Sequence, residues 1–248
     1  MMRRLFLLAL LAFAAPAAAF EMPEDQDAAD FVTANVISTF YHELGHGLID
    51  VLQLAVLGRE EDAADTLSAV LMHQVWDEES ATTLVYGTAN AFWLYANEAE
   101  QQGYETAYWD EHSLDMQRYY NLVCLFYGAD PDLREDDAVE LELPEGRAER
   151  CPEEYALAEE SWGAMLAGLE PGKDAKGLVM QGDTSDPLVA LLAEEVSTMN
   201  ASYALPEEIT VQVAECGEAN AFYDPSEKSI TFCCEYADDL LRLWQAQQ

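Results

Sequence analysis

His42, Glu43 and His46 lie inside the apolar run STFYHELGHGLID, residues 38–50, and this stretch limits what the chain can fold into. From Ala28 to about Asp50 the apolar residues Phe31, Val36, Ile37, Phe40, Leu44 and Leu48 recur at intervals of three and four, which predicts a helix. On a helix, positions i and i+4 share a face, so the imidazoles of His42 and His46 converge on one point. A pair of histidines four apart also arises by chance, as a buried pair satisfied by hydrogen bonds. Gly45 and Gly47 sharpen the reading. Each costs a helix about 1 kcal/mol against Ala, so something other than helix stability requires them, such as close packing beside a bound ion.

The pattern HExxH divides labour in the way a zinc hydrolase needs. Two neutral nitrogens, on His42 and His46, hold one metal ion, while Glu43, offset on the helix, takes a proton from water. A catalytic zinc needs a third protein ligand. Downstream, GREEDAAD places Glu61 in the first turn of a second helix as an oxygen ligand. Asp65, one turn on and on the same face, accepts the outer N–H of a ligating histidine; the alternative is an ordinary acidic helix start. The metal reading also constrains the first helix. At 1.5 Å per residue, continuing it to Leu57 would carry the chain roughly 16 Å past His46, too far for Glu61 to return. The helix is therefore expected to end near Leu52, with QLAVLG as an extended return.

A third histidine lies in YWDEHSLDMQRYYN. His112, with Asp110 or Asp115 to orient it, suits a donor to the oxyanion that develops when water attacks a peptide carbonyl. The alternative is a solvent-facing histidine beside a helix cap. His73, at a polar–apolar boundary of the second helix, reads as structural.

Around these motifs the chain is mainly helical. Helices are expected over 59–76, 79–103, from Ser113 as N-cap to Gly128 as stop, 148–169, 187–199 and 237–248. Residues 129–146, acidic and turn-rich, read as a solvated loop. Only EITVQVAEC and NAFYDPSEKSITFCCEY are β-branched and aromatic with turn chemistry between them, and they predict a small antiparallel sheet built from a C-terminal hairpin.

The first 19 residues, two arginines followed by an apolar run and small residues, have the layout of a cleaved secretory signal. One domain is expected over 20–248, exported to a periplasmic or extracellular space without a membrane anchor once the signal is cut. The net charge of −37 becomes −39 without Arg3 and Arg4. So negative a chain repels phosphate backbones, which excludes nucleic acid as a partner. In an oxidising compartment five cysteines are expected to form disulfides. The expected pairs are Cys216–Cys233, across the hairpin, and Cys124–Cys151, leaving Cys234 over.

HExxH followed by ExxAD resembles the gluzincin branch of zinc peptidases, in which thermolysin-like enzymes use two His and a downstream Glu as ligands. The longer phrases FYHELGHGLID, LGREEDAAD, DEHSLDMQRYYNLVCLFYGADP and CGEANAFYDPSEKSITFC resemble a family of exported bacterial metallopeptidases. The resemblance implies His42, His46 and Glu61 as ligands of one zinc ion per chain and Glu43 as general base. It implies a zincin-like α+β domain, with one departure: zincins place a sheet before the motif helix, and only residues 20–30 lie ahead of it here. The strands near the C-terminus must supply it, and NAFYDP is similar to the substrate-facing strand of thermolysin-like enzymes. The expected activity is hydrolysis of a peptide or protein. Its rivals are zinc hydrolysis of a non-peptide bond and a zinc-stabilised domain that binds peptide without cleaving it.

Overall fold

The computed structural model describes residues 20–171 and 176–248, so the expected signal at 1–19 lies outside the described residues. The fold is α+β and mainly helical, with one four-stranded sheet. Helix α1, Gln26–Val51, starts at Asp25, whose carboxylate accepts the N–H of Ala28. It is buried on nearly all faces, as a helix apolar all round must be. Helices α2 (Glu60–Val75) and α3 (Glu78–Gln102) pack against it, and the sheet packs against it as well.

The two motif glycines mark where these neighbours come close. A Cβ on Gly45 would stand 2.9 Å from the Cα of Ala64 in α2, and one on Gly47 would stand 2.9 Å from Ile209 Cδ1 of the sheet. Close approach, not helix propensity, is what they supply.

Helix α1 ends at Val51, close to the expected end near Leu52. Leu52 caps it, Gln53 turns with φ of 53°, and the Leu54 N–H bonds back to the Ile49 carbonyl. The chain then returns without helical structure to Glu60. Helix α4, Asp115–Ala129, continues past the expected stop. Gly128 is there because a Cβ would lie 2.2 Å from the Cys151 carbonyl oxygen, where α4 meets the chain at Cys151.

Residues 129–146 depart from the expected solvated loop. They hold α5 (Glu135–Glu140) and the start of α6 (Glu145–Ala148), and Arg134 among them is fully buried. Its guanidinium makes a two-pronged ion pair with Glu78 at 2.8 and 2.6 Å, donates to the Phe126 carbonyl at 2.7 Å and stacks 4.0 Å over the Phe126 ring. With its donors met, the buried charge is tolerated.

After α7 (Cys151–Leu166) comes β1, Leu178–Gln181, which the sequence reading lacked; α8 (Pro187–Ser202) follows. Strands β2 (Ile209–Ala214), β3 (Ala221–Asp224) and β4 (Ser229–Cys233) complete the sheet, and α9 (Cys234–Ala246) ends the fold. The β3–β4 pair is the expected antiparallel hairpin. The sheet is larger than that hairpin and mixed: its order is β1-β2-β4-β3, with β1 and β4 both parallel to β2. Parallel pairing follows because α8 carries the chain back between β1 and β2.

The disulfides Cys124–Cys151 and Cys216–Cys233 form as expected, and Cys234 is free. The second bridge ties the end of β2 to β4, its parallel neighbour, instead of crossing the β3–β4 hairpin. No helix among the described residues is long and apolar enough to cross a membrane.

Candidate metal centre

Helix α1 presents His42, Glu43 and His46, and the first turn of α2 presents Glu60 and Glu61. Three acids, Glu60, Glu61 and Asp62, lie in that first turn, at the positive end of the α2 dipole. Glu61 Oε2 stands 3.1 Å from His42 Nε2 and 3.2 Å from His46 Nε2, and the two nitrogens are 3.2 Å apart. The outer nitrogens are held from behind. His42 Nδ1 donates to Asp65 Oδ1 at 2.7 Å, and His46 Nδ1 donates to Glu60 Oε1 at 2.9 Å.

These bonds decide what the inner triangle can accept. With Nδ1–H donated to a carboxylate, a neutral imidazole offers a lone pair at Nε2. Two such nitrogens and a carboxylate oxygen then face one another as three acceptors with no hydrogen between them. Such a set fits a cation. Zinc with ligands at ~2.0–2.1 Å in a tetrahedron separates them by roughly 3.3–3.4 Å, close to the observed 3.1–3.2 Å. The donor chemistry, two imidazoles and a carboxylate, is also that of a catalytic zinc site.

The titration of the cluster reflects the same geometry through protons. Burial alone would lower the pKa of His42, but hydrogen bonds to Asp65 and Glu61 outweigh it and raise the value to about 9. Burial pushes the Glu61 carboxyl up, yet hydrogen bonds from His112, His42 and His46 hold it far below the usual range. Asp65, partly buried, is kept ionised by the charge of Arg118 and its bond from His42, which outweigh desolvation. Arg118 forks onto Asp65 with two bonds of 2.8 Å, so the cation neutralises the supporting carboxylate without touching the histidine.

Glu43 lies beside the triangle, 6% exposed. Burial raises its pKa despite the attraction of His42 and His46 and a smaller lowering effect of the Tyr223 backbone N–H. Tyr223 belongs to β3, an edge strand. The Cys233 N–H bonds to the Asn220 carbonyl, so by antiparallel alternation Ala221 and Tyr223 turn their backbone groups to the free edge. The Ala221 N–H is taken by the Asn220 side chain at 2.9 Å. A cavity of about 560 Å³ opens here, lined among others by His42, Glu43, His112, Asn220 and Ala221.

His112 reaches the same carboxylate as the first two histidines, its Nε2 3.0 Å from Glu61 Oε2. Asp110 accepts the backbone N–H of His112 at 2.9 Å and lies 3.5 Å from its Nδ1. Ser113 does not cap α4; its hydroxyl donates to Asp62. All the expected site residues, His42, Glu43, His46, Glu61, Asp65, Asp110 and His112, thus meet around one point. The sequence reading missed Glu60 and Tyr223. Glu60 was legible in principle, since it neighbours Glu61 in the same acidic turn; nothing local marks Tyr223.

A family model, DUF4344, described as "Putative metallopeptidase", matches residues 11–166 and 184–248. No curated protein and no solved structure shows a significant match to the chain.

Proposed function

The chain belongs to the DUF4344 family, and from that premise and the site geometry we propose that it is an exported zinc-dependent peptidase of zincin-like architecture. The observation that carries the proposal is the inner triangle of His42, His46 and Glu61, three facing acceptors backed by carboxylates, with a buried Glu43 alongside.

In this reading His42, His46 and Glu61 hold the ion, and Asp65 fixes the tautomer of His42. Zinc, when bound, supplies a Lewis acid that polarises a carbonyl and acidifies water. Glu43 accepts the proton of the attacking water and returns it to the leaving nitrogen. Its raised pKa brings a carboxylate nearer the working pH, where general acid–base catalysis is most effective. His112, its side chain 47% exposed at the cavity mouth, donates to the oxyanion.

The free edge of β3 supports a polypeptide substrate over other classes. An extended chain can pair there through its backbone, with the Ala221 carbonyl as an available acceptor. Two disulfides fit an exported protein.

Replacing Glu43 by Gln tests the reading. Zinc content should stay at one per chain, while cleavage of a mixed peptide library should fall by about 10²–10⁴-fold. Unchanged cleavage would overturn the role of Glu43. Full zinc binding by the wild type with no cleavage of any peptide would favour a binding domain.

A further inference from the structure

We propose that a second cavity, walled by aromatic rings and carrying carboxylates at its opening, binds a linear aliphatic polyamine. The inference goes beyond the peptidase reading and does not depend on it. At about 740 Å³ the cavity falls within the range of small-ligand sites. It shares no lining residue with the cavity over the metal centre. Helix α4 contributes to both, with Asp115 and Arg118 lining the first and Met116 and Tyr120 the second.

Six rings wall the second cavity: Phe31 from α1, Tyr86 and Trp93 from α3, Tyr119 and Tyr120 from α4, and Trp244 from α9. They are held in place by one another and by the backbone. The Phe31 and Trp244 centroids are 5.2 Å apart, and Tyr119 meets Tyr120 edge to face at 5.1 Å. The Tyr119 hydroxyl donates to the Leu141 carbonyl at 3.0 Å and the Tyr86 hydroxyl to Asp137 at 2.9 Å, which fixes α5 and the turn after it against α3 and α4. A Cβ on Gly87, in the same wall, would stand 2.5 Å from the Cβ of Ala34, so α1 and α3 are drawn close there.

Charge decides what such walls take. Asp27 and Asp30 from α1, and Glu140 and Glu142 from the end of α5 and the turn after it, line the cavity, while no lysine, arginine or histidine does. Among the described residues none of these four carboxylates is in an ion pair. Elsewhere the protein supplies its own cation to a ring, Arg118 over Phe92 and Arg134 over Phe126. Here both the rings and the carboxylates face a cation from outside, since ring faces attract positive charge. A bare metal ion fits poorly, because it needs several oxygens converging on one point. The residue groups whose ligand atoms converge, among the described residues, lie elsewhere. Negative charge spread over two walls, with rings between, suits several ammonium groups joined by methylene chains: the ammoniums pair with the carboxylates and the methylenes lie on the rings.

The test is calorimetric titration of the purified protein with spermine at about 0.15 M salt, where screening weakens diffuse attraction to the acidic surface. The wild type should bind one spermine per chain saturably. E140Q/E142Q should weaken that binding about five- to thirtyfold, and W93L, which keeps apolar area but removes a ring at the opening, about two- to fivefold. E153Q/E160Q removes the same charge from exposed positions on α7 and should leave the affinity unchanged. No saturable binding, or an equal loss in the two double variants, would overturn the proposal in favour of diffuse attraction to an acidic surface. Saturable binding of an oligolysine peptide that spermine does not displace would overturn it in favour of a polypeptide occupant. Neither result touches zinc content or peptide cleavage, so this proposal and the peptidase reading fail separately.

Discussion

Two clusters in this molecule each join a histidine, a carboxylate and an arginine, with opposite effects on the histidine. Around His42 stand Asp65 and Arg118; around His73 stand Glu78 and Arg134. In the first, the arginine bonds only the carboxylate, and the carboxylate bonds the histidine. His42 is left with an inner nitrogen facing other acceptors, and its pKa rises. In the second, Arg134 donates directly to His73 Nδ1 at 2.9 Å. Burial and the charge of Arg134 lower the pKa of His73. A histidine is made available to a cation by putting its arginine one residue further away; direct contact closes it. In the proposed function the first cluster serves chemistry and the second packing, and α2 carries residues of both.

The sharpest break between them comes from Arg134→Ala. Arg134 is 0% exposed and its removal leaves the Phe126 carbonyl without a partner and the Phe126 ring without its stacking cation. Because the Glu78 side chain is 41% exposed, the stranded charge is partly solvated. The loss should fall at the low end for a broken buried pair, about 3 kcal/mol in denaturant unfolding. Zinc affinity of the folded fraction should not change, nor should it in His73→Gln. A zinc defect in either variant would erase the distinction drawn here.

Asp65→Asn should do the reverse. It removes the acceptor that fixes the His42 tautomer and the partner of Arg118, and zinc affinity by chelator competition should fall about 10–100-fold, or about 1.4–2.8 kcal/mol. Its unfolding free energy should change less than that of Arg134→Ala. Equal zinc affinity in Asp65→Asn and wild type would mean that the carboxylate supports the fold and not the ion.

The two clusters also show what a sequence makes legible. HExxH with Glu61 and Asp65 could be read because helical spacing of four puts His42 and His46 on one face of α1 and Glu61 and Asp65 on one face of α2. Gly45 and Gly47 signalled close contact, though not that one faces α2 and the other the sheet. Arg134 was hidden inside an acidic, turn-rich stretch, since its partners Glu78 and His73 lie more than fifty residues away. Strand β1 was hidden for a related reason. Its four residues acquire their meaning only by pairing with β2, some thirty residues on and across a helix. Short spacing is readable; pairing that only the closed fold brings together is not.

The weakest of the polar clusters joins the two halves of the site. Asp50, one turn beyond His46 on α1, accepts the Tyr223 hydroxyl at 2.7 Å and pairs with Lys228, which pins the β3–β4 hairpin to the motif helix. Hydrogen bonds from Lys228 and then Tyr223 lower the Asp50 pKa. A carboxyl whose pKa is lower folded than unfolded adds stability above its unfolded value, and that contribution is lost as pH falls through the folded value. With its side chain about a third exposed, Asp50 should contribute only about 1 kcal/mol after solvent screening. The gap between wild type and Asp50→Asn should be full near pH 7, begin to close below the ordinary value of 3.8, and vanish at the acid limit. Zinc content should be unchanged, because no ligand or its carboxylate support is touched. KM for peptides should rise by a few-fold, since Tyr223 belongs to the free edge strand β3. A zinc loss in this variant would show that the hairpin holds the ligands as well as the substrate edge, and that the two halves of the site are not separable.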